Sequence, residues 1–244
     1  RFTGEFLRMI SVIMPTMWVG PYYSEMLKQF NDHPLVGEII IIDNDPDISD
    51  PSVLALSKVR HYPQSQNIYV NPAWNLGAKL AQYDKLCLYS DDVKFGMGII
   101  DRIEEYITPQ FGLIGFKGEC VWETTHILYD DGKKAMLNVT NQPNSVYATC
   151  LFVNKGSYHE IPEELKIYWG DTYLFYKNRH EGKHNLEIDK VQVLTLLSTT
   201  SSMDEFRSIT TAERELSRKY LEPLGFDMPP DVIIDVGAQT WKII

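Results

Sequence analysis

The stretch LCLYSDDVKF, Leu86–Phe95, leads from a short apolar run directly into two adjacent carboxylates. Its apolar part predicts a strand buried on both faces, as in a parallel sheet covered by helices. Two neighbouring carboxylates at the end of such a strand repel each other and are partly removed from water. A metal ion, a basic side chain or the water around a surface turn would offset that cost. The sequence therefore predicts one of these three beside Asp91 and Asp92.

The sequence on both sides of this stretch alternates between strand-like and helix-like segments. The predicted strands are Ile10–Met14, which Pro15 would end, Glu38–Ile42, Asn67–Val70 and Lys85–Tyr89. The predicted helices are Pro21–Phe30, Val53–Lys58, Pro72–Gln82, Asp171–Arg179 and Thr211–Leu221. This alternation predicts an α/β fold with a mostly parallel sheet flanked by helices. The polar segment Cys120–Thr149, with Asp130-Asp131-Gly132 as a predicted hairpin turn, indicates a smaller elaboration of the second half.

Length and composition indicate one globular domain. The chain has 244 residues, of which 44% are hydrophobic, and this is enough for a real core. A formal net charge of -10 disfavours indiscriminate binding to nucleic acids. Cys87, Cys120 and Cys150 form no CxxC pair, and no apolar stretch approaches the roughly 18 residues of a membrane helix, so we expect a cytoplasmic protein. We expect residues 1–8 to be added residues ahead of a native start at Met9, and residues 9–244 to form the single domain.

Polar residues follow three of the predicted strands. Pro15-Thr16, Asp43-Asn44 and Ser90-Asp91-Asp92 each stand where a strand should end. Ligands of open parallel sheets bind at the carboxyl ends of the strands. Aspartate and asparagine also close strands simply because they form turns well, so each group alone is a weak signal. The three groups together on one predicted edge indicate a ligand site.

Four stretches carry a resemblance to a known family. In order and spacing, SVIMPT, EIIIIDND, NPAWNLGAKLA and LCLYSDDVKF resemble the nucleotide-sugar half of GT-A glycosyltransferases, and of these the inverting family 2 group in particular. The resemblance continues through ATCLFVNKGSYHEI and IYWGDTYLFYK and covers roughly Ile10 to Arg179. It implies a GT-A, Rossmann-like fold with a nucleotide-sugar half at about residues 9–95 and an acceptor-side half at about 96–244. The implied reaction moves a sugar from a nucleoside-diphosphate sugar, which we expect to be a UDP-sugar, to an acceptor hydroxyl with inversion.

The resemblance also implies roles for the residues on the donor side. The Ser90-Asp91-Asp92 triplet stands where the family has its DXD-type motif, so Asp92 is the expected metal contact and Asp91 would reach the ribose or a metal-bound water. The cation would be Mn²⁺ or Mg²⁺, which bridges a carboxylate and the donor diphosphate. This interpretation answers the question raised by the two adjacent carboxylates, although a solvated turn is the structural alternative.

Further donor contacts are implied around these carboxylates. Asp43, followed by Asn44, matches the residue that accepts hydrogen bonds from the nucleotide base or ribose, and Pro15 and Thr16 would line the same base pocket. Trp74 and Asn75 lie on the segment that approaches the nucleotide and sugar in the family. A tryptophan packed in the core and an asparagine on a helix face are the structural alternatives for these two.

The acceptor side contains the expected catalytic residue. Asp171 matches the general base of the inverting members, although an aspartate before an apolar helical run is also a good N-cap. Trp169 and Gly170 beside it are the expected acceptor contacts. The family histidine that completes the metal site falls on Thr195, and a threonine hydroxyl is a poor ligand for a divalent cation, so the resemblance leaves the metal requirement open.

Two other functions are weighed against the transferase. HEGKH, His180–His184, matches the H-E-x-x-H pattern of zinc hydrolases, but that pattern works only inside a continuous helix, and Gly182 predicts a helix end. A non-catalytic module that binds a nucleotide or a sugar on the same fold is the other alternative, and it would not need Asp171. The acceptor stays open among a saccharide, a lipid-linked glycan, a protein and a modified DNA base.

Overall fold

The computed structural model describes residues 7–117, 119–121, 131–144, 146–195, 204–227, 232–235 and 240–243. The strands are β1 (Ile10–Thr16), β2 (Val36–Asp43), β3 (Val59–Pro63), β4 (Lys85–Tyr89), β5 (Val93–Phe95), β6 (Phe111–Phe116), β7 (Glu119–Val121), β8 (Met136–Thr140), β9 (Cys150–Asn154), β10 (His184–Asp189), β11 (Gln192–Thr195), β12 (Val232–Asp235) and β13 (Thr240–Ile243). The α-helices are α1 (Tyr23–Asp32), α2 (Pro51–Leu54), α3 (Val70–Leu80), α4 (Gly98–Ile103), α5 (Gly170–His180) and α6 (Asp204–Leu221).

Eight of the strands form one sheet in the spatial order β3-β2-β1-β4-β9-β6-β10-β8. The first four are parallel to one another, β9 runs antiparallel to β4 and β6, β6 and β10 are parallel, and β8 is antiparallel to β10. A second sheet has the order β5-β11-β7, and β12 pairs with β13. The predicted α/β fold with a mostly parallel sheet is confirmed in the part that comes from the first 90 residues.

The isoleucine run of β2 shows why this sheet is buried on both faces. Ile39 and Ile41 pack with α1 in one hydrophobic cluster, whereas Ile40 and Ile42 pack with α3 in the other. Successive side chains of a strand point to opposite faces, so a continuous apolar run is needed when both faces are covered by helices. All four isoleucines are completely buried.

Several predicted boundaries are wrong, among them the helix predicted at Val53–Lys58, which forms at Pro51–Leu54 and is followed by the unpredicted strand β3. Pro15 does not end β1, which continues to Thr16, and it is tolerated because β1 pairs with β4 only as far as Ile13 while β2 follows it to the end. The predicted strand at Asn67–Val70 does not form, because Tyr69 adopts a left-handed φ of 67° and Val70 already begins α3.

In the predicted turn at 130–132, Asp130 lies outside the described residues, and Gly132 has a left-handed φ of 81°. Arg1–Phe6, part of the residues 1–8 that we expect to be added ahead of Met9, also lie outside them.

The two histidines of HEGKH belong to different elements. Helix α5 ends at His180, Gly182 follows with a left-handed φ of 79°, and His184 begins β10. A glycine in this conformation just after a helix is a common C-terminal signal. The continuous helix that the zinc pattern requires is therefore missing from these described residues, as the glycine predicted.

The interior holds charged and thiol groups as well as apolar side chains. The buried Glu38 carboxylate accepts hydrogen bonds from Ser11 Oγ at 2.7 Å, the Gln82 backbone N–H at 2.6 Å and Arg60 Nη1 at 2.5 Å. Cys87 on β4 and Cys150 on β9 are fully buried free thiols, and their sulfur atoms lie 3.5 Å apart. Among the described residues, no helix is long and apolar enough to cross a membrane.

Candidate active site

A cleft of about 310 Å³ opens at the carboxyl ends of β1 and β4. Eight of the predicted site residues line it, and these are Pro15, Thr16, Asn44, Trp74, Asp91, Asp92, Trp169 and Asp171. The other three, Asp43, Asn75 and Gly170, are not among the lining residues. The cleft therefore brings together polar groups from two separate parts of the sequence, as the strand-end argument predicts.

The two adjacent carboxylates lie in the turn that connects β4 to β5. Thr16 Oγ1 donates a hydrogen bond to Asp91 Oδ2 at 2.6 Å. Burial, with a smaller contribution from the charge of Asp92, raises the pKa of Asp91 to about 6 despite the lowering effect of the Thr16 hydrogen bond. Gly20 packs against this turn so closely that a Cβ atom there would lie 2.3 Å from the Asp91 carbonyl oxygen. The turn is thus fixed by its neighbours rather than left in bulk solvent.

Asp43 lies beneath the cleft and is completely buried. Its Oδ1 accepts from Trp18 Nε1 at 2.8 Å and from the Asp45 backbone N–H at 3.1 Å, and its Oδ2 contacts Ser49 Oγ at 2.5 Å and His61 Nε2 at 2.7 Å. Burial alone would raise the pKa of Asp43, but the hydrogen bonds from Ser49, His61 and Trp18 outweigh it and lower the pKa. Four contacts fill the acceptor positions of a carboxylate, so here Asp43 ties several segments together directly beside Asn44, which lines the cleft.

Trp74 and Asn75 are neighbours on α3 with different surroundings. The Asn75 side chain donates to the Ile161 carbonyl at 2.8 Å and accepts from the Ile161 N–H and the Tyr158 hydroxyl, so it joins α3 to the segment that follows β9. Trp74 lines the cleft and is 5% exposed, and among the described residues no acceptor meets its buried Nε1. A buried donor without a partner is costly and marks Trp74 as a candidate ligand contact.

Asp171 stands in the first turn of α5 and lines the cleft. The N-cap position belongs to Trp169, whose φ of 65° is left-handed and whose side chain makes no capping bond, so the alternative N-cap role for Asp171 is wrong. Burial raises the pKa of Asp171, and hydrogen bonds from Thr172 oppose the rise only in part. A raised pKa makes a carboxylate a stronger base.

Several residues that shape the cleft were missed by the sequence analysis. The loop just before α5 contributes Ile167 and Tyr168 to the wall, and Tyr69 and Phe206 contribute aromatic rings. The loop is held by the buried carboxylate of Glu213, which accepts hydrogen bonds from its backbone N–H groups. Nothing near Glu213 in the sequence marks it, because its partners lie more than forty residues away.

The donor atoms at the cleft suit a cation that takes part of its coordination from a ligand. Among the described residues, no group of three His, Cys, Asp or Glu side chains could hold a metal ion. Thr195 stands opposite Val93 in the pairing of β11 with β5, next to the Asp91–Asp92 turn. Mg²⁺ and related ions are often bound by one or two carboxylates together with substrate phosphates and water. Asp92 and Asp91 fit that arrangement. The described residues do not fit a site in which every ligand comes from a protein side chain.

Comparison with known proteins rests on three-dimensional structure, because neither a family model nor a curated sequence matches the chain. A mannosyltransferase of Pyrobaculum calidifontis in complex with GDP-mannose and Mn²⁺ is similar with a TM-score of 0.59 at 12% identity, over 91% of this chain and 65% of its own. GalNAc-T7 with UDP, GalNAc and Mn²⁺ gives 0.57 at 10% identity, over 77% and 43%. S. aureus TarS gives 0.55 at 15% identity, over 87% and 43%.

The chain spans about two thirds or less of the length of these three structures. The similarity nevertheless includes most of this chain. The chain therefore has an α/β fold of the GT-A type.

Proposed function

We propose that the protein is a glycosyltransferase that uses a nucleoside-diphosphate sugar, with a UDP-sugar as the donor. The observation that carries the proposal is the position of two kinds of carboxylate on one cleft. Asp91 and Asp92 come from the β4–β5 turn, and Asp171 comes from the start of α5. The first pair suits a diphosphate held through a cation, and the second suits the removal of a proton from an acceptor. We also propose the division into a donor half at residues 9–95 and an acceptor half at 96–244.

On the donor side, Asp92 would hold a divalent cation with help from Asp91. When bound, the cation supplies positive charge beside the leaving diphosphate. Thr16 fixes Asp91 through a hydrogen bond of 2.6 Å, and Asp43 fixes Trp18, whose backbone N–H donates to Thr16 Oγ1 at 2.7 Å. Pro15, Thr16 and Asn44 would then contact the nucleoside. Asp43 supports this wall from below, since its acceptor positions are already filled.

On the acceptor side, Asp171 would act as the general base. The acceptor oxygen forms a bond to the anomeric carbon, the bond from that carbon to the diphosphate oxygen breaks, and the hydroxyl proton passes to the Asp171 carboxylate. Attack from the face opposite the leaving group inverts the anomeric configuration. A base of this kind contributes about 10²–10⁴-fold to the rate. Trp169 offers a ring on which the acceptor can stack, whereas Gly170 is buried against Asn71 and does not line the cleft.

The proposal is tested by nucleotide release from a panel of UDP-sugars and from GDP-mannose, with Mn²⁺, with Mg²⁺ and with a chelator. We expect wild-type protein to release nucleotide from one donor in a cation-dependent way. Asp92→Asn should weaken donor binding, whereas Asp171→Asn should leave donor binding intact and lower turnover by about 10²-fold or more. Failure of every donor to bind would refute the transferase. Equal turnover by wild type and Asp171→Asn would remove Asp171 as the base, and donor binding without any turnover in the wild type would leave only a binding module. The free thiols Cys87 and Cys150 support a cytoplasmic location as part of the same proposal.

A further inference from the structure

The carboxylate of Glu213 accepts hydrogen bonds from three successive backbone N–H groups next to the cleft. Glu213 lies on α6 and is 1% exposed. Its Oε1 accepts from the N–H of Lys166 at 2.6 Å and of Ile167 at 3.0 Å, and its Oε2 accepts from Ile167 at 3.2 Å and Tyr168 at 2.7 Å. Three successive N–H groups that converge in this way form an anion-binding concavity. Here the anion is a side chain of the protein itself.

The same loop is held from its other side by Asn71 at the start of α3. Asn71 Nδ2 donates to the carbonyls of Leu165 at 3.0 Å and Tyr168 at 3.2 Å, and the Asn71 backbone N–H donates to the Lys166 carbonyl at 3.0 Å. The Glu213 carboxylate thus accepts hydrogen bonds from the backbone N–H groups of the loop, and Asn71 donates hydrogen bonds to its backbone carbonyls. A loop whose donors and acceptors are both engaged by buried groups has one well-defined conformation.

This loop leads directly into the proposed acceptor side. Tyr168 is followed by Trp169 in its left-handed conformation, then by Gly170 and Asp171. A left-handed non-glycine residue costs roughly 1–3 kcal/mol and persists only where its surroundings impose it. The bonds to Glu213 end one residue before Trp169, so they are well placed to impose that conformation. The direction of the first turn of α5, which carries Asp171, follows from it.

Helix α6 makes three contacts with this region from a single face. Phe206, Glu213 and Tyr220 are spaced by seven residues, which returns to nearly the same side of a helix. The Phe206 ring lies 6.1 Å from the Tyr69 ring at the cleft, and the Tyr220 ring lies 6.4 Å from Tyr173 of α5. The Tyr220 hydroxyl also donates to Glu164 at 2.7 Å. Glu213 is the polar centre of this face.

We propose that Glu213 is a positioning residue that sets the orientation of Asp171 and Trp169 through the backbone of Lys166, Ile167 and Tyr168. This inference rests on the proposed function, because it assigns Asp171 a role in the reaction. It adds that Asp171 on α5 works as a base only when α6 holds the loop that precedes α5. Glu213 itself does not line the cleft and would not touch a substrate.

The test compares Glu213→Gln with Glu215→Gln, the same substitution at an exposed site on the same helix, where the side chain is 74% exposed. Glutamine has nearly the volume of glutamate, but one acceptor oxygen becomes an NH₂ donor that faces backbone N–H groups. Hydrogen exchange at 164–169 reports the loop without any reliance on activity. We expect Glu213→Gln to speed this exchange by about tenfold or more, since about 1.4 kcal/mol is one factor of ten.

In the same samples, nucleotide release and donor KM separate positioning from binding. We expect Glu213→Gln to lower kcat by about tenfold or more while donor KM stays within about twofold, and Glu215→Gln to match wild type in all three measurements. Glu213→Asp, whose carboxylate cannot reach the whole loop, serves if the glutamine variant does not fold. Faster exchange with unchanged kcat would show that Glu213 is only structural and would overturn the inference. Absence of donor binding in wild type would instead overturn the proposed function.

Discussion

Replacing Gly170 by alanine tests how closely α3 and α5 meet at the cleft. A Cβ atom at Gly170 would lie 2.2 Å from Asn71 Oδ1, 2.5 Å from its Cγ and 2.7 Å from its Nδ2. An ordinary contact begins near 3.4 Å, so the Asn71 amide has to move by about 1 Å or more. Asn71 is 1% exposed and cannot swing into solvent. Its hydrogen bonds of 3.0 Å and 3.2 Å to Leu165 and Tyr168 do not survive such a shift.

The expected cost follows from these contacts. Two lost hydrogen bonds contribute about 1 kcal/mol each, and the overpacking adds about 1–3 kcal/mol. The alanine recovers roughly 0.4–1 kcal/mol through the lower entropy of the unfolded chain. We therefore expect Gly170→Ala to lower the free energy of unfolding by about 2–4 kcal/mol, or Tm by about 5–15 °C at this chain length.

The assay combines thermal unfolding, followed by circular dichroism, with nucleotide release at a temperature where the variant is folded. Gly182→Ala is the matched control, at the other end of α5, where no atom lies within 4 Å of the added carbon. Its left-handed φ of 79° should cost about 1–2 kcal/mol without any effect on turnover. Gly170→Ala should lower turnover as well, because the loop before Asp171 shifts. A Tm within about 2 °C of wild type for Gly170→Ala would refute the close packing of Asn71 against this helix.

Three further outcomes can be measured on purified protein. Asp171→Asn should unfold at a higher temperature than wild type at pH 7, because the raised pKa of the half-buried Asp171 means that its charge is unfavourable in the folded state; the gain should fade below about pH 4, where the wild-type carboxyl is protonated in both states. A lower Tm at pH 7 would contradict this reasoning. Trp74→Phe removes a buried N–H that has no acceptor among the described residues, so stability should stay unchanged or rise by about 1 kcal/mol while calorimetry shows weaker donor binding. Unchanged donor affinity would take the indole nitrogen out of the donor site. Arg60→Ala leaves Glu38, which is 4% exposed, without its cationic partner and should cost about 3 kcal/mol in urea unfolding; a loss below about 1 kcal/mol would show that Ser11 and Gln82 satisfy it alone.

The parts of the fold that the sequence predicted are those set by local patterns. The apolar runs of β1, β2 and β4 identified strands buried on both faces, and Gly182 identified the end of α5. The errors arise where tertiary contacts decide the backbone. Tyr69 takes a left-handed φ where its ring packs beside Phe206 and Lys166 and its N–H donates to Asn67 Oδ1, and the predicted strand is instead the entry to α3.

In the candidate site, too, the residues set by local patterns could be predicted and those set by tertiary contacts could not. Thr16, Asp91 and Asp92 could be placed on one edge because the carboxyl ends of parallel strands meet there. The filled acceptor positions of Asp43 could not be foreseen, since its partners Trp18, Ser49 and His61 come from three different segments. Glu213 was missed for the same reason: a buried carboxylate on a predicted helix gives no sign of which distant backbone it will meet.

The thiols of Cys87 and Cys150 provide a practical probe of this molecule. Both are fully buried, and burial raises the pKa of Cys150 well above its usual range, so neither reacts while the sheet is closed. The rate at which these thiols are alkylated therefore reports how often the central strands open. Cys87 belongs to the strand that runs straight into Ser90, so a ligand that binds only the closed protein should slow labelling by a factor of 1 + [L]/Kd. Mass spectrometry of the labelled peptides would then rank donors without any knowledge of the acceptor.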